Sequence, residues 1–262
     1  MSAVEAELLA LIERSPTLTA AHDRSGWVGM FTTDGRVEDP YGSRPHVGAD
    51  EIGRFYDTFI APRQITFHRD ADVVVDAAVV RDLTLEIGMA SGVTLDVGMH
   101  LRYDLKQVGD DWAIRRLRAH WELPAMVAPL LRHGPKAIPP SLRLVRALLR
   151  NQGFGGTAGY LEALRRPGRR SRRCVATFLD AAVAGDQVTA RRMCGDRATT
   201  HGESDPMTVG DFTGRLRGGR WSKLIAAGDT VSASVDAPSG RGVVFCETRS
   251  GAAKIARIRY FG

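Results

Sequence analysis

The first half of the chain contains segments in which apolar and polar residues alternate. DLTLEIGM (82–89), LDVGMHLRY (95–103) and LRAHW (117–121) each place an apolar side chain at every second position. Successive side chains of a strand point to opposite faces, so each segment predicts a strand with one apolar and one polar face. The predicted inward side chains are Leu83, Leu85, Ile87, Met89, Leu95, Val97, Met99, Leu101, Tyr103, Leu117, Ala119 and Trp121.

Helices are predicted ahead of these strands, over about residues 3–14 and around DRSGWVGMF (23–31). Helices followed by antiparallel strands with one apolar face are typical of an α+β fold in which a curved sheet wraps around the helices. The polar strand faces carry His100 and His120 beside several arginines. We interpret these histidines as part of a polar sheet face or of a subunit contact.

Charge divides the chain into two halves. Residues 1–125 hold 13 Lys and Arg against 20 Asp and Glu, whereas residues 126–262 hold 23 against 10. With 262 residues and 44% hydrophobic content, the chain is long enough for two cores. Prolines and glycines punctuate short helical pieces between the halves. We therefore predict a first domain over 1–124, a helical, Arg-rich connector over 125–173 and a second, smaller domain over 174–262.

The connector contains two basic features. SLRLVRALLR (141–150) is typical either of a membrane-surface helix or of a helix docked on one of the domains. RRPGRRSRR (165–173) holds six arginines, which suits contact with an acidic membrane, a solvated linker, or a strip that faces the acidic first domain. No aromatic residues for base stacking are interleaved with these arginines, so nucleic acid is not expected as a partner.

Targeting and metal signals are not found in the sequence. MSAVEAELLALIERSP begins the chain with acidic residues where a signal peptide needs positive ones, and no stretch reaches about 20 apolar residues, so we predict a cytoplasmic protein. Cys174, Cys194 and Cys246 are odd in number and have no metal-ligand spacing, which predicts buried, reduced thiols. Neither a metal nor a cofactor is predicted.

One carboxylate is predicted to point inward. RVED, ahead of Pro40, reads as a short strand in which Asp39 shares a side with Val37, and Glu38 takes the other side. A carboxylate on an apolar face is costly unless it is paired or used, and burial raises its pKa toward that of a general base. Asp39 is therefore either such a base or a cap that bonds to backbone amides in the turn at Pro40.

A resemblance to a known family rests on DRSGWVGMFTTDGRVEDPYGSRPHVGADEIGRFYDTF (23–59), VGMHLRY (97–103) and LRAHWE (117–122). These stretches resemble the bacterial ketosteroid isomerases, which belong to the cone-shaped superfamily named for nuclear transport factor 2. That superfamily also includes the SnoaL-like polyketide cyclases. The resemblance covers about residues 5–123 and implies a cone-shaped first domain.

The resemblance also implies roles for single residues. In that family the Asp before the Pro is the base that moves a proton from C4 to C6 of a 3-oxo-Δ5-steroid, and Asp39 matches it. A supporting tyrosine matches Tyr56, and an aromatic residue that packs on the ligand matches Trp121. The two donors to the oxyanion have no match, because their positions fall near Ser15 and at Met99.

The implied ligand is a steroid or a similar polycyclic apolar small molecule. Because the loss of one oxyanion donor costs about 10²- to 10³-fold in rate, we predict only weak Δ5–Δ4 isomerase activity unless Tyr56 substitutes. The alternative is a non-catalytic ligand-binding or carrier protein that associates with an acidic membrane through the connector. The implied cavity has Asp39 and Tyr56 as its polar points and is lined by Phe55, Leu85, Ile87, Val97, Met99, Leu101 and Trp121.

The second half repeats the order of elements loosely. FLDAAVAGDQVTARRMCGDRATTHGES (178–204) suggests a helix, a Gly-Asp turn, a second helix and an opening strand, and TVSASVD, GVVFCET and KIARIRYF complete a small sheet. We therefore predict tandem cone-shaped domains of α+β class. The second has Thr200 or His201 where the first has Asp39, so we expect it to bind, brace or pair. The cones would pair within one chain or form a homodimer.

Overall fold

The chain folds into two α+β units in a computed structural model that describes residues 2–88, 94–122, 167–194, 199–248 and 254–262. The described helices are Ala3–Ala20 (α1), Arg24–Val28 (α2), Gly48–Phe55 (α3), Arg169–Ala184 (α4), Gln187–Cys194 (α5) and Val209–Leu216 (α6), with a π-helical turn over Tyr56–Ile60 after α3. The strands of the first unit are Phe31–Glu38 (β1), His46–Val47 (β2), Gln64–Val75 (β3), Ala78–Gly88 (β4), Thr94–Val108 (β5) and Asp111–His120 (β6). Those of the second are Thr199–His201 (β7), Asp205–Met207 (β8), Arg220–Ala227 (β9), Thr230–Ala237 (β10), Gly240–Thr248 (β11) and Ile255–Phe261 (β12).

Helix α1 begins with a capping box. The Ser2 hydroxyl accepts the Glu5 backbone N–H, and the Glu5 carboxylate accepts the Ser2 backbone N–H in return. The predicted end near residue 14 is too early, because the helix continues through Pro16 to Ala20. Ser15 and Thr19 are buried and extend the inward stripe of the helix, so tertiary packing holds these last turns despite the proline.

The two sheets have the same topology. The first has the order β2-β1-β6-β5-β4-β3 and the second the order β8-β7-β12-β11-β10-β9. In each sheet one neighbouring pair is parallel, β1 with β6 and β7 with β12, and the remaining pairs are antiparallel. The repeat of elements that the sequence predicts is thus present as a repeat of strand order.

The inner face of the first sheet follows the predicted alternation. Leu83, Met99 and Tyr103 are almost fully buried in one cluster with the apolar residues of α1, α2 and α3. Leu85 and Ile87 are partly buried and pack against this cluster. Met89 lies outside the described residues. The period-two prediction of the inward faces is confirmed for the residues that the structure describes.

The polar faces of the strands are not turned to solvent. The outer face of the first sheet packs on the outer face of the second, around a cluster of Val75, Ala78, Val80, Val243, Phe245 and Phe261. His100 and His120 are buried there, at 0% and 3% exposure, and both rings contact Phe245. The two histidines lie on the polar face of the sheet, as in the first interpretation, but this face is buried against the second unit of the same chain.

Hydrogen bonds and ion pairs cross this interface. The nitrogens of His100 lie 2.8 and 3.0 Å from the hydroxyls of Ser232 and Ser234, and burial lowers the pKa of His100 to about 4, so the ring is neutral near pH 7. Asp82, on β4, accepts hydrogen bonds from Lys223 (2.6 Å) and Arg241 (3.0 Å) of the second unit. Pairing of the two predicted domains within the chain therefore rests on both apolar and charged contacts.

The predicted boundaries can be compared with the elements only in part. Most of the predicted connector, including SLRLVRALLR, lies outside the described residues, and the division at residue 173 falls inside α4. Arg172 of the Arg-rich segment bonds to Glu122 of the first unit, whereas Arg169, Arg170 and Arg173 are exposed. Among the described helices, none has the length and apolar character needed to cross a bilayer.

Candidate functional site

Asp39 follows the last residue of β1, at the edge of the first core. Val37 is fully buried on the inner face, whereas Glu38 points to the other side and accepts a hydrogen bond of 2.7 Å from Arg116. Strand β1 lies parallel to β6, and the backbone N–H of Tyr41 donates to the Ala119 carbonyl at 2.7 Å. The chain after β1 is therefore held beside the end of β6, on the side predicted for Asp39.

The Asp39 carboxylate meets the indole of Trp121, the residue that follows β6. Trp121 Nε1 donates to Asp39 Oδ1 at 2.6 Å, and Trp121 belongs to the apolar cluster of the first unit. Among the described residues, no backbone amide bonds to this carboxylate. The hydrogen bond described for the Asp39 carboxylate therefore comes from a side chain.

Burial dominates the protonation of Asp39. It raises the pKa of the carboxyl group to about 6, although the hydrogen bond from Trp121 and the charge of Arg63 act in the opposite direction. A desolvated carboxylate with few donors is ionised less readily than one in water. Near neutral pH, Asp39 can both take up and release a proton.

Tyr56 is the other predicted polar residue of the site, and it opens the π-helical turn after α3. Its side chain is 1% exposed, and its ring lies 5.6 Å from the Trp27 ring. Within the described part of the chain the Tyr56 hydroxyl has no hydrogen-bond partner, and burial raises its pKa. A buried hydroxyl of this kind is a donor available to a ligand oxygen.

The predicted apolar residues belong to the same interior. Phe55, on α3, is 2% exposed and stacks on Trp27 with ring centroids 6.2 Å apart. The strand residues on the inner face join it in one cluster with Asp39's partner Trp121. The members of the predicted lining that are almost fully buried are Phe55, Val97, Met99, Leu101 and Trp121, and those that are partly buried are Leu85 and Ile87.

Three polar side chains of this interior were not predicted as site residues. Trp27 Nε1 donates to the Ser15 hydroxyl at 3.0 Å, and the Ser15 hydroxyl in turn bonds to the hydroxyl of Tyr103. Burial raises the pKa of Tyr103 to about 12, and the charge of Asp39 adds to the same effect. The alternation of apolar and polar residues places Tyr103 on the inward face of its strand. A tyrosine at an inward position was therefore the sequence signal that could have identified Tyr103 as a site residue.

Ser15 and Met99 occupy the positions that the resemblance assigns to oxyanion donors. Met99 is inward and 4% exposed, and its thioether cannot donate a proton. Ser15 is buried within α1, where its hydroxyl is engaged with Trp27 and Tyr103. Of the two buried phenols, the Tyr56 hydroxyl has no hydrogen-bond partner among the described residues, and the Tyr103 hydroxyl bonds to Ser15.

A family model matches part of the first unit. Residues 7–108 match the family model of the nuclear transport factor 2 (NTF2) domain. A search of curated proteins finds no match. Among solved structures, the chain is similar to a Δ5-3-ketosteroid isomerase from Mycobacterium sp., with 26% identity over 46% of this chain and 96% of that chain and a TM-score of 0.42.

Two further solved structures are similar over the same share of the chain. A Mycobacterium tuberculosis protein in complex with estradiol-17beta-hemisuccinate has 25% identity over 45% of this chain and 96% of that chain, with a TM-score of 0.42. SalBIII is an epoxide hydrolase/cyclase-like enzyme with a role in pyran ring formation in the polyether salinomycin. It has 16% identity over 46% of this chain and 95% of that chain, with a TM-score of 0.42. Residues 7–108 form an NTF2-like domain, and the predicted tandem α+β fold is confirmed by the two units.

Proposed function

We propose that the first unit binds a steroid or a similarly polycyclic apolar small molecule, with Asp39 as the polar group that meets it. One observation carries the proposal. The Asp39 carboxylate lies at the edge of an apolar interior with Trp121 as its hydrogen-bond donor, and burial raises its pKa to about 6. Apolar sites with a few convergent polar groups are the usual form of small-molecule sites.

We propose further that Asp39 catalyses slow proton transfer on a bound ketone. Its carboxylate takes a proton from C4 of a 3-oxo-Δ5-steroid, and the electron pair of the broken C–H bond delocalises onto the C3 oxygen as a dienolate. The protonated Asp39 then returns the proton to C6, which gives the Δ4 isomer. A pKa of about 6 suits a group that must accept and return a proton near neutral pH. Tyr56 assists by donating its free hydroxyl to the oxygen.

A second candidate function is a non-catalytic ligand carrier in the cytoplasm. The observation in its favour is the pair of positions at Ser15 and Met99. The Ser15 hydroxyl is engaged by its neighbours, and Met99 offers no proton. Under this proposal Asp39 and Tyr56 orient the ligand and no bond is broken.

Trp121 is expected to contribute strongly to ligand binding under either proposal. A titration with a fluorescent steroid should give micromolar or tighter binding to the wild type, and Trp121→Ala should weaken it about tenfold or more, because the substitution removes both an aromatic contact and the donor to Asp39. Trp221→Ala, in the second unit, is the matched control and should leave the affinity unchanged. If the wild type shows no binding of the fluorescent steroid at micromolar concentrations, the binding proposal is contradicted.

The carrier proposal includes an acidic membrane as partner. Arg169, Arg170 and Arg173 are exposed in the first turns of α4, where the helix has no acidic residue. Positive side chains at a helix N-terminus are unfavourable for the helix itself, because the backbone amides there already carry partial positive charge. An anionic surface would compensate this repulsion.

Sedimentation with vesicles tests the membrane contact. We expect the protein to sediment with vesicles rich in phosphatidylserine at low salt and to be released at high salt. Changing Arg169, Arg170 and Arg173 to serine should abolish this binding. The control with equal charge loss changes three other exposed arginines, Arg191, Arg192 and Arg220. Equal sedimentation of the two triple variants would contradict a specific role of α4.

A further inference from the structure

The loop that follows Asp39 lies directly on the second unit. It contacts the turn between β9 and β10, in which Gly228 and Asp229 connect the strands. The Tyr41 hydroxyl donates to Asp229 Oδ1 at 3.2 Å. The contact joins residues 188 positions apart in the chain.

Two glycines allow the backbones of this contact to touch. A Cβ atom on Gly42 would lie 2.4 Å from the Gly228 Cα, and a Cβ on Gly228 would lie 2.9 Å from the Tyr41 ring. Both glycines also have positive φ, +91° and +59°, which other residues adopt with strain. Any side chain at either position would force the loop and the turn apart.

The partner of Asp39 is anchored to the same part of the second unit. Glu122 directly follows Trp121, and its carboxylate accepts the backbone N–H of Ala226 on β9 at 2.9 Å. Arg172 of α4 bonds to the same carboxylate and also donates to the Leu224 carbonyl at 3.2 Å. The chain beyond Trp121 is therefore bound to β9 and α4.

Aromatic rings pack between the Tyr41–Asp229 contact and the Glu122–Ala226 contact. The Tyr41 ring stacks on His120, with centroids 4.4 Å apart and an interplanar angle of 28°. The other contact of His120 is with Phe245 of the second unit, at 4.8 Å. His120 directly precedes Trp121, so the loop after Asp39 and the end of β6 are packed against the second unit together.

We propose that the β9–β10 turn of the second unit is a positioning element for Asp39. It holds the Asp39 loop through Tyr41 and Gly42, and β9 holds Trp121 through Glu122, so the carboxylate and its donor stay in contact. This inference rests on the proposed function of the first unit and assigns to the second unit the role of a brace. In the second unit, the residue directly after β7 is Gly202, so the position that corresponds to Asp39 carries no carboxylate.

If the β9–β10 turn positions Asp39, the protonation of Asp39 should depend on this turn even when no ligand is bound. The Trp121 indole N–H resonance, identified by its loss in Trp121→Phe, should shift with pH with a midpoint near 6. In Gly228→Ala the loop is displaced and water reaches the carboxylate, so the midpoint should fall toward the ordinary value for Asp, near 4. Steroid affinity should weaken about tenfold in the same variant.

The matched control is Gly218→Ala. Gly218 also has a positive φ, +78°, but a Cβ there would meet nothing within 4 Å, so the substitution adds backbone strain without touching the Asp39 loop. The pH midpoint of the Trp121 indole N–H resonance in this variant should equal that of the wild type. If Gly228→Ala does not fold, Tyr41→Phe replaces it, since it removes the hydroxyl that bonds to Asp229 and Thr230, keeps the ring, and should lower the midpoint in the same direction.

The outcomes separate the brace from the proposed function. A midpoint near 6 in wild type, Gly228→Ala and Tyr41→Phe alike would overturn the brace and leave ligand binding untouched. Equal decreases in Gly228→Ala and Gly218→Ala would also overturn it, because general strain in the second unit would then be the cause. A lowered midpoint in Gly228→Ala but not in Gly218→Ala, in a protein that binds no steroid, would support the brace and remove the proposed ligand.

Discussion

Replacing Asp39 with asparagine is expected to abolish the proposed slow conversion of a 3-oxo-Δ5-steroid to its Δ4 isomer. The amide cannot accept the C4 proton, while its shape and its contact with the Trp121 indole are largely retained. In the wild type, the rate should rise with pH through about 6, because only the ionised carboxylate acts as the base. The absorbance of the conjugated product measures this rate, and Asp50→Asn, at an exposed position, is the control.

Other substitutions in the same assay test which side chains stabilise the negative charge on the steroid C3 oxygen. Tyr56→Phe should lower the rate further than any surface change, and Met99→Asp should raise it by up to about 10²-fold, the scale of one oxyanion donor. Burial of the new acid reduces this gain by its cost in stability. Val97→Asp places an acid two residues away on the same inner face and should give no gain. No wild-type turnover and no gain in Met99→Asp would together leave Asp39 as a ligand-orienting acceptor.

Replacing Asp82 with asparagine is expected to destabilise the protein by about 3 kcal/mol. Asp82 is fully buried between the sheets and receives Lys223 and Arg241, so the change leaves two positive groups without this partner. Breaking a buried pair costs about 3–5 kcal/mol. The lower end applies because Lys223 keeps Asp70 and Arg241 keeps Asp236. Chemical denaturation measures the loss.

The control for Asp82 is Asp236→Asn. Asp236 pairs with Arg220 and Arg241 at a partly exposed position, so its loss should cost at most about 1 kcal/mol. Burial opposes ionisation of Asp82, but its neighbours, chiefly His100 and Lys223, hold its pKa below the ordinary value. Its stabilising effect is therefore present above about pH 4, the unfolded value, and is lost as the pH falls through the lower folded value. Equal losses in both variants would contradict a buried charge cluster.

The inward faces of the first sheet could be predicted from the sequence because one face of each strand meets an apolar core. Period two places Leu83, Met99 and Trp121 correctly, and it also gives the side of Asp39 relative to Val37. The outer faces could not be predicted in the same way. Asp82 and His100 are charged or polar, as solvent-facing residues are, and only the second sheet makes them buried.

Contacts between residues far apart in the chain could not be predicted from the sequence either. The bond between Trp121 and Asp39 joins residues 82 positions apart, and the contact of Tyr41 with Asp229 spans 188. Neither leaves a local pattern in the sequence. The resemblance to ketosteroid isomerases named Asp39, Tyr56 and Trp121 together, but it could not indicate that a second unit contacts the loop after Asp39 and the residue after Trp121.

The first unit is proposed to hold a polycyclic apolar ligand beside Asp39. The most direct test follows the Trp121 indole N–H resonance during a titration with a 3-oxo-Δ4-steroid, because this group bonds to the Asp39 carboxylate. We predict a saturable shift of this resonance at micromolar steroid, with the Trp221 resonance of the second unit unchanged. A Trp121 resonance that stays constant while steroid binds elsewhere, or does not bind at all, would contradict the claim.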